Sequence, residues 1–303
     1  MKNASLHNRS CPVCHSSKEG PVFVDQNIKA EELTKFAFAS RKIPEFFSHR
    51  LIRCPDCTVI YAPAVPSNQF LKEAYLEADF DSGDEAQCAA ASYGKALERH
   101  IAKLRHRGSA LEIGTGTGAF LPYLQKWGFS SVIGIEPSIA AIENAHPKIK
   151  PLIQMGIFEP KKFKPNSFSF ICCFQTLEHV LEPKELVQSC LFLLEPGGML
   201  ALVTHDHSAW LNKLLGRRSP IVDIEHLQIF SPQNMELLLK TSGFEEIAIH
   251  SIQNSYRLQY WLRLTPIPRT LKNFCFRLAK WSHLGRIKLG VNVGNMLAVG
   301  RKP

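Results

Sequence analysis

The sequence predicts an α/β fold with a mostly parallel sheet, preceded by a small metal-binding ribbon. Three observations carry that prediction. The apolar stretch Leu111–Ile113 runs into Gly114-Thr115-Gly116-Thr117-Gly118, three alternate glycines, and a helical segment follows. Downstream, short apolar runs alternate with helical patterns, as parallel strands joined by crossover helices do. Near the start, Cys11-Pro12-Val13-Cys14 and Cys54-Pro55-Asp56-Cys57 form two CxxC pairs separated by 39 residues.

A chain of 303 residues is enough for one large domain with an appendage, or for two domains. With 45% apolar residues a substantial core can be built. Met1–Ser10 is polar without an apolar core, so no secretory signal is expected there. No run approaches 18 uninterrupted apolar residues, so no spanning helix is expected. Nine cysteines without an export signal suit a reducing, cytoplasmic setting, as thiols or metal ligands rather than disulfides. The net charge of +9 is uneven: from Ile247 to Pro303 there are ten Lys and Arg and no Asp or Glu. The basicity belongs to the C-terminal fifth, and the rest is nearly balanced.

The four thiolates suit tetrahedral Zn²⁺, since each CxxC pair supplies two ligands from one tight turn. Cys11, Cys14, Cys54 and Cys57 fill every position, which makes the site structural. A short strand, Thr58–Tyr61, and the Pro-containing Ala62–Pro66 close this ribbon over residues 1–66. Residues 67–107 read as a helical lid or linker. It is broken at the acidic, small-residue stretch Asp79–Ala91, and a helix over Tyr93–His106 puts Leu97, Ile101 and Leu104 on one face. Residues 108–303 hold the sheet.

The glycine loop fits two kinds of ligand. Gly114, Gly116 and Ala119 also satisfy the dinucleotide-binding pattern. Glu112 favours a ligand with an ammonium group, because a carboxylate accepts its hydrogen bonds and repels a pyrophosphate. Ser131–Glu136 is the next strand, and Glu136 stands where a carboxylate can take both ribose hydroxyls. Pro137-Ser138 opens another helix, and Pro151–Gln154 is a weak third strand. Ser167–Phe174 is a fourth, apolar as a central parallel strand should be. A helix over about Pro183–Leu194 and a Pro196-Gly197-Gly198 turn lead into a fifth, Met199–Thr204. A sixth is expected over about Glu246–Ser251 and a last over Asn295–Arg301.

Taken in order, Leu111–Phe120, Gly134–Ser138, Phe174–Val180 and Glu195–Val203 resemble the successive motifs of class I S-adenosylmethionine-dependent methyltransferases. Glu225-His226-Leu227-Gln228-Ile229-Phe230-Ser231-Pro232 and Ser242-Gly243-Phe244 continue the resemblance, which spans roughly residues 93–303. It implies a Rossmann-like, seven-stranded, mostly parallel sheet whose last strand is antiparallel. It further implies that Glu112, Gly114, Thr115, Gly116 and Gly118 contact the methionine part of S-adenosylmethionine, and Glu136 with Pro137 the ribose. Gly156 and Ile157 would flank adenine, and Gln175 and Leu177 would line the cofactor. Ile157 stands where the family often carries an acid, so a polar adenine contact there is main-chain. Cysteine pairs ahead of such a domain are similar to a branch containing sugar C-methyltransferases.

Parallel sheets bind ligands at the carboxyl ends of their strands. His179, His205, Asp206, His207, Glu225 and His226 fall there. A sulfonium methyl needs no activation. The protein must aim a nucleophile and, for a hydroxyl or an enolisable carbon, remove a proton. His226 is the expected base, with Glu225 as its neighbour and His179 as a further catalytic candidate. The match is to a Glu-His-Leu-x-x-aromatic-Ser segment whose Glu-His pair is catalytic in the sugar C-methyltransferase-like branch. Asp223 departs from the tyrosine of that branch, which bears on carbon methylation. The alternative is a histidine that anchors the loop before a helix at Pro232, with Ser231 as its N-cap. His205-Asp206-His207 with Asp223 is a looser O/N metal pattern.

Tyr256–Gly290, between the sixth and last strands, interleaves Trp261, Phe274, Phe276 and Trp281 with Lys and Arg. Leu271, Phe274, Cys275 and Leu278 share a helical face. Such a basic amphipathic helix suits an anionic membrane surface, RNA, or a roof over the acceptor pocket. The function expected is methyl transfer to a small molecule, a saccharide or a lipid- or nucleotide-linked sugar. The place expected is the cytoplasm, or the inner face of the membrane as a peripheral protein. One alternative is an RNA methyltransferase that grips with ribbon and basic face. Phe174-Gln175-Thr176-Leu177 disfavours one RNA class, which carries Asn/Asp-Pro-Pro-aromatic there. Another alternative is a non-catalytic S-adenosylmethionine-binding module.

Overall fold

A computed structural model describes residues 6–28, 38, 47–80, 83–264, 269–281 and 287–303. The chain opens with β1 (Leu6–Asn8), β2 (Val22–Val24), β3 (Leu51–Arg53), β4 (Ile60–Tyr61) and β5 (Ala64–Pro66). β1 pairs with β5, and β2, β3 and β4 form an antiparallel ladder. The two CxxC turns share one conformation. The His15 N–H donates to the Cys11 carbonyl at 2.9 Å, as the Thr58 N–H does to that of Cys54 at 3.0 Å. His15 and Thr58 take φ of 59° and 66°, a left-handed conformation uncommon for both residue types. Each stands directly after the second cysteine of its pair. Residues 29–37 and 39–46 of the expected ribbon lie outside the described residues.

α1 (Asn68–Leu76) is capped by Ser67, whose hydroxyl accepts from the Phe70 N–H. α2 (Gly83–Ile101) begins well inside the stretch expected to be a break and stops short of His106. Alanine is the best helix former, and Asp84 and Glu85 favour the positive end of the helix dipole. Most of the composition read as loop is therefore about the first two and a half turns of a helix. Residues 81 and 82 lie outside the described residues.

Then come β6 (Ser109–Ile113), α3 (Leu121–Lys126), β7 (Ser131–Glu136), α4 (Ile139–Glu143), β8 (Ile153–Met155) and β9 (Phe168–Phe174). α5 (Pro183–Leu193), β10 (Leu194–His205), α6 (Trp210–Leu215), β11 (Gln228–Ile229) and α7 (Pro232–Thr241) follow. The described chain ends with β12 (Glu245–Arg257), α8 (Leu258–Leu264), α9 (Arg269–Trp281) and β13 (Lys288–Arg301). Seven strands form one sheet in the order β12-β13-β10-β9-β6-β7-β8. β10, β9, β6, β7 and β8 are parallel, and β13 runs antiparallel to both its neighbours. This is the Rossmann-like sheet the motifs imply. All seven residues of β9 are buried, as a strand covered on both faces requires.

Three elements differ from expectation. Pro196-Gly197-Gly198 lies inside β10, as an irregularity between Leu194 and Met199 rather than a turn before the strand. β12 and β13 continue as a ladder as far as Arg257↔Lys288, so the insertion between them is shortened to residues 258–287, of which the described parts include α8 and α9. Ile252, Asn254 and Tyr256 are buried while Gln253 and Arg257 are exposed, the alternation of a half-covered strand. Finally, β11 joins the ribbon: Gln228 pairs with Tyr61 and Ile229 with Ile60. The ribbon thus has a four-stranded sheet, β11-β4-β3-β2, with one strand from the larger domain.

Arg9 ties the same parts together from below. Its guanidinium donates to the carbonyls of Ala62 (2.9 Å), Leu181 (2.6 Å) and Leu227 (2.7 Å), and to Gln228 Oε1 (3.0 Å). Burial lowers its pKa to about 10, so it stays charged at neutral pH.

Candidate active site

From β6 the chain goes to β7 and β8 on one side. It returns to β9 and β10 on the other, so the sheet reverses its order between β6 and β9. Ligands bind at such a switch point. A cavity of about 1100 Å³ opens there, just above the roughly 300–1,000 Å³ of small-molecule pockets. It has room for two ligands side by side.

The loop after β6 forms one end. Gly114, at φ 74°, passes so near Thr176 that a Cβ would lie 2.2 Å from the hydroxyl oxygen. Gly116, at φ 57°, lines the cavity, and a Cβ there would meet nothing within 4 Å. Thr115, Pro137, Gly156, Ile157 and Gln175 line the cavity as well. Gly118 and Leu177, also expected at the cofactor, are not among the lining residues. Gly118 makes room for Ile149, whose Cγ2 would lie 2.6 Å from a Cβ. Leu177 belongs to the core, and its carbonyl accepts from Gln228 Nε2 at 2.7 Å.

Two buried carboxylates face this end. Glu112 accepts from the Thr115 hydroxyl, and burial pushes its pKa up to about 8, with some help from the nearby Glu136. Glu136 accepts from the N–H groups of Gly116 (2.7 Å) and Ser138 (2.9 Å). Its pKa is raised by burial, and those two hydrogen bonds oppose the shift. Gln175, at φ 48°, has a side-chain amide whose Nε2 is buried, beside the Tyr93 hydroxyl.

Three histidines gather at the other end. The ring centroids of His179 and His226 are 5.0 Å apart, and those of His226 and His205 are 5.1 Å apart. All three line the cavity with Glu225 and Asp223. His226 Nδ1 lies 2.7 Å from the Ile221 carbonyl. A carbonyl only accepts, so Nδ1 carries the hydrogen and Nε2 of the neutral ring keeps its lone pair. Glu225 Oε2 is 3.4 Å from His179 Nδ1, so the carboxylate of the Glu-His pair reaches a different histidine from the one next to it in sequence. His205 Nδ1 lies 2.8 Å from Asn295 Oδ1, and burial pushes its pKa down to about 4. His207 is turned toward the ribbon, near Arg53 and Thr58. β10 ends at His205 and His207 lies beyond it, facing the ribbon, so the two histidines do not converge.

Several residues here carry no sequence signal. Tyr75, on α1, places its hydroxyl 3.2 Å from His179 Nδ1. Asn295 comes from β13. Glu178 is fully buried with its pKa pushed up to about 8, and its Oε1 accepts from the His205 N–H at 2.8 Å. Tyr256, Tyr260 and Trp261 roof the cavity, with centroids of the first two 4.4 Å apart. α8 is therefore a wall of the cavity, whereas α9, the amphipathic helix read as a membrane, RNA or roof element, contributes none of the lining residues.

Away from the cavity, Cys11, Cys14, Cys54 and Cys57 point their sulfur atoms together, all within 4.8 Å of one another. The Cys11–Cys57 and Cys14–Cys54 sulfur pairs lie 3.5 and 3.6 Å apart. With Zn–S bonds of 2.3 Å, the edge of a tetrahedral site is about 3.8 Å. Among the described residues, no other His, Cys, Asp or Glu group meets the same test, the His205-Asp206-His207 segment included.

Curated relatives include the ubiquinone biosynthesis O-methyltransferase of Histophilus somni, 31% identical over 118 residues, or 35% of this chain and 49% of that one. The mitochondrial enzyme of the same name from Schizosaccharomyces pombe is 28% identical over 161 residues, 50% of this chain and 54% of that one. The chain thus spans about half the length of these relatives. Among solved structures, a SAM-dependent methyltransferase from Thermotoga maritima is 23% identical with a TM-score of 0.48, covering 72% of this chain and 91% of that one. One from Archaeoglobus fulgidus is 15% identical with a TM-score of 0.48, covering 78% and 100%. Residues 85–249 match the family described as Methyltransferase domain. That match takes in more than half of the 303 residues, and the protein belongs to this methyltransferase family.

Proposed function

We propose that the chain transfers a methyl group from S-adenosylmethionine to an oxygen or carbon of a small-molecule acceptor of the saccharide class, free or linked to a lipid or nucleotide. The observation that carries this reading is a single cavity with a glycine loop and two buried carboxylates at one end and three histidines at the other. The residues at the first end fit the cofactor. A Cβ at Gly116 would fill its cradle, and Glu112, Glu136 and the Gln175 amide line the cavity as polar partners for it. Glu112 would take the ammonium, Glu136 and Pro137 the ribose, and Gly156 with Ile157 the adenine. When bound, the cofactor supplies an electrophilic methyl group.

The chain's own residues then act on the acceptor. His226 Nε2 accepts the proton of its hydroxyl or acidic C–H as the new bond to methyl forms. The Ile221 carbonyl holds that ring in place, and Glu225 with Tyr75 orients His179 beside it. The names of the curated relatives favour oxygen as the atom methylated. Residues 1–66 would act as a Zn²⁺-stabilised scaffold on the four cysteines, 67–107 as cover over the cavity and 108–303 as the catalytic domain. The same reading puts the protein in the cytoplasm, peripheral to the inner face of a membrane.

Incubation with S-adenosylmethionine carrying a tritiated methyl group tests the acceptor class. Label is expected in saccharide-containing material of the source cell extract. Label in RNA alone would overturn the reading, as would cofactor binding without transfer to any fraction. Cofactor binding itself is expected to release close to one proton at pH 7. Glu112, with its pKa near 8, is mostly protonated in the free protein, and an ammonium beside it favours the carboxylate. Affinity should therefore rise by about tenfold per pH unit up to about pH 8 and then level off. Calorimetry in buffers of different ionisation heat reads the proton directly. Glu112→Gln should abolish the release, and an unchanged count in that variant would remove Glu112 from the ammonium.

A further inference from the structure

Two elements far apart in sequence carry the same unusual surface: α6 borders the cavity, and α9 follows α8, which borders it too. On α6, Leu211 and Leu215 line the cavity while Trp210 and Leu214 are 68% and 73% exposed. On the α8–α9 segment, Tyr260 and Trp261 line the cavity while Leu271 and Phe274 are 49% and 63% exposed. Large apolar side chains so exposed on neighbouring turns mark interaction sites when they cluster. Their charged companions are of one sign. Lys213, Arg217 and Arg218 are exposed beside the first pair and Arg277 beside the second. No Asp or Glu occurs in residues 207–222 or 247–303.

We infer that α6 and α9 are two feet of one docking face for an anionic lipid bilayer, set around the mouth of the cavity. The inference rests on the proposed reading only in treating that mouth as the way in for an acceptor. Apolar side chains among cations match a bilayer interface, where acyl chains take the first and phosphates the second. RNA matches less well, because Leu214 and Leu271 gain nothing from phosphate and present no ring for a base to stack on.

Sedimentation of the whole protein with phosphatidylcholine vesicles, with and without phosphatidylglycerol, tests the face. Binding is expected only when the anionic lipid is present, and it should weaken as salt is raised. Arg217→Gln with Arg218→Gln should lower partitioning by about 30-fold, taking about 1 kcal/mol per charge. Trp210→Ser with Leu214→Ser, and Leu271→Ser with Phe274→Ser, should each lower it by about tenfold or more. These side chains do not touch the cavity, so calorimetric cofactor affinity should stay at the parent value in all three variants. That second measurement keeps the docking face separate from the cofactor reading. Binding to neutral vesicles as strong as to anionic ones would overturn the inference, and so would no binding to either. Full binding by the α6 variant would leave α9 alone and overturn the two-footed face. Retardation of a poly(U) probe, sensitive to the same variants in the absence of vesicle binding, would reassign the face to RNA.

Discussion

His226→Ala is expected to lower kcat by about 10²–10⁴-fold while cofactor affinity stays within about twofold. The range is that of removing one positioned general base. The split between the two readouts follows from the cavity: His226 sits at the end opposite Glu112 and Glu136. The substituted residue is 8% exposed and hydrogen-bonded to the Ile221 carbonyl, so loss of packing must be separated from loss of the base. His226→Gln does that, since its amide can still donate to Ile221 but has no basic nitrogen. Both variants should lose turnover with the acceptor found by labelling, and only the alanine variant should also lose melting temperature. Full turnover in the glutamine variant would return His226 to the role of a loop anchor and move the base to His179. His205 is a poor substitute. Burial lowers its pKa to about 4, which makes it a weaker base than an ordinary imidazole.

Removing metal from the cysteine site is expected to have the larger effect on stability. Binding of Zn²⁺ to four thiolates can contribute on the order of 10 kcal/mol to ordering a small segment. Chelation, or Cys54→Ser, should lower the melting temperature and release one equivalent of zinc by elemental analysis. The damage should reach turnover as well. Arg9 stands two residues before Cys11 and holds the carbonyls of Leu181 and Leu227, each next to or near a histidine of the site. β11 follows His226 almost directly and pairs with the strand that follows Cys57. A protein that is metal-free as purified, with an unchanged melting temperature after chelator, would make the four cysteines plain core thiols.

Legibility in the sequence followed the range over which each feature is determined. β6, β7, β9 and β10 were readable because a strand buried on both faces is apolar throughout, and Gly, Pro and acids punctuate its ends. The glycine loop was readable because Gly114 must pass Thr176, a constraint that residue type alone reveals. The start of α2 was misread, since alanine-rich acidic sequence serves both loop and helix. The extension of β12 was missed because its alternation, Ile252 to Tyr256, overlaps a segment rich in aromatics and cations. Tyr75, Asn295 and Arg9 were invisible for a different reason. Each matters only through a partner at least 50 residues away in sequence, and nothing local marks it. The Glu-His pair was half legible: both residues reach the cavity, but the carboxylate turns to His179.

The strand shared between ribbon and catalytic domain has a consequence for descent and for recombination. Gln228 and Ile229 are two residues of one domain that complete the other's sheet, and Gln228 also donates to the carbonyls of Leu177 and Val180. A crossover at the chain boundary near Pro66 would import a foreign ribbon onto a strand shaped for this one. The heritable unit is then discontinuous: residues 6–66 travel with 225–231, and a graft that moves one piece without the other separates the four-cysteine cluster from the strand that follows His226.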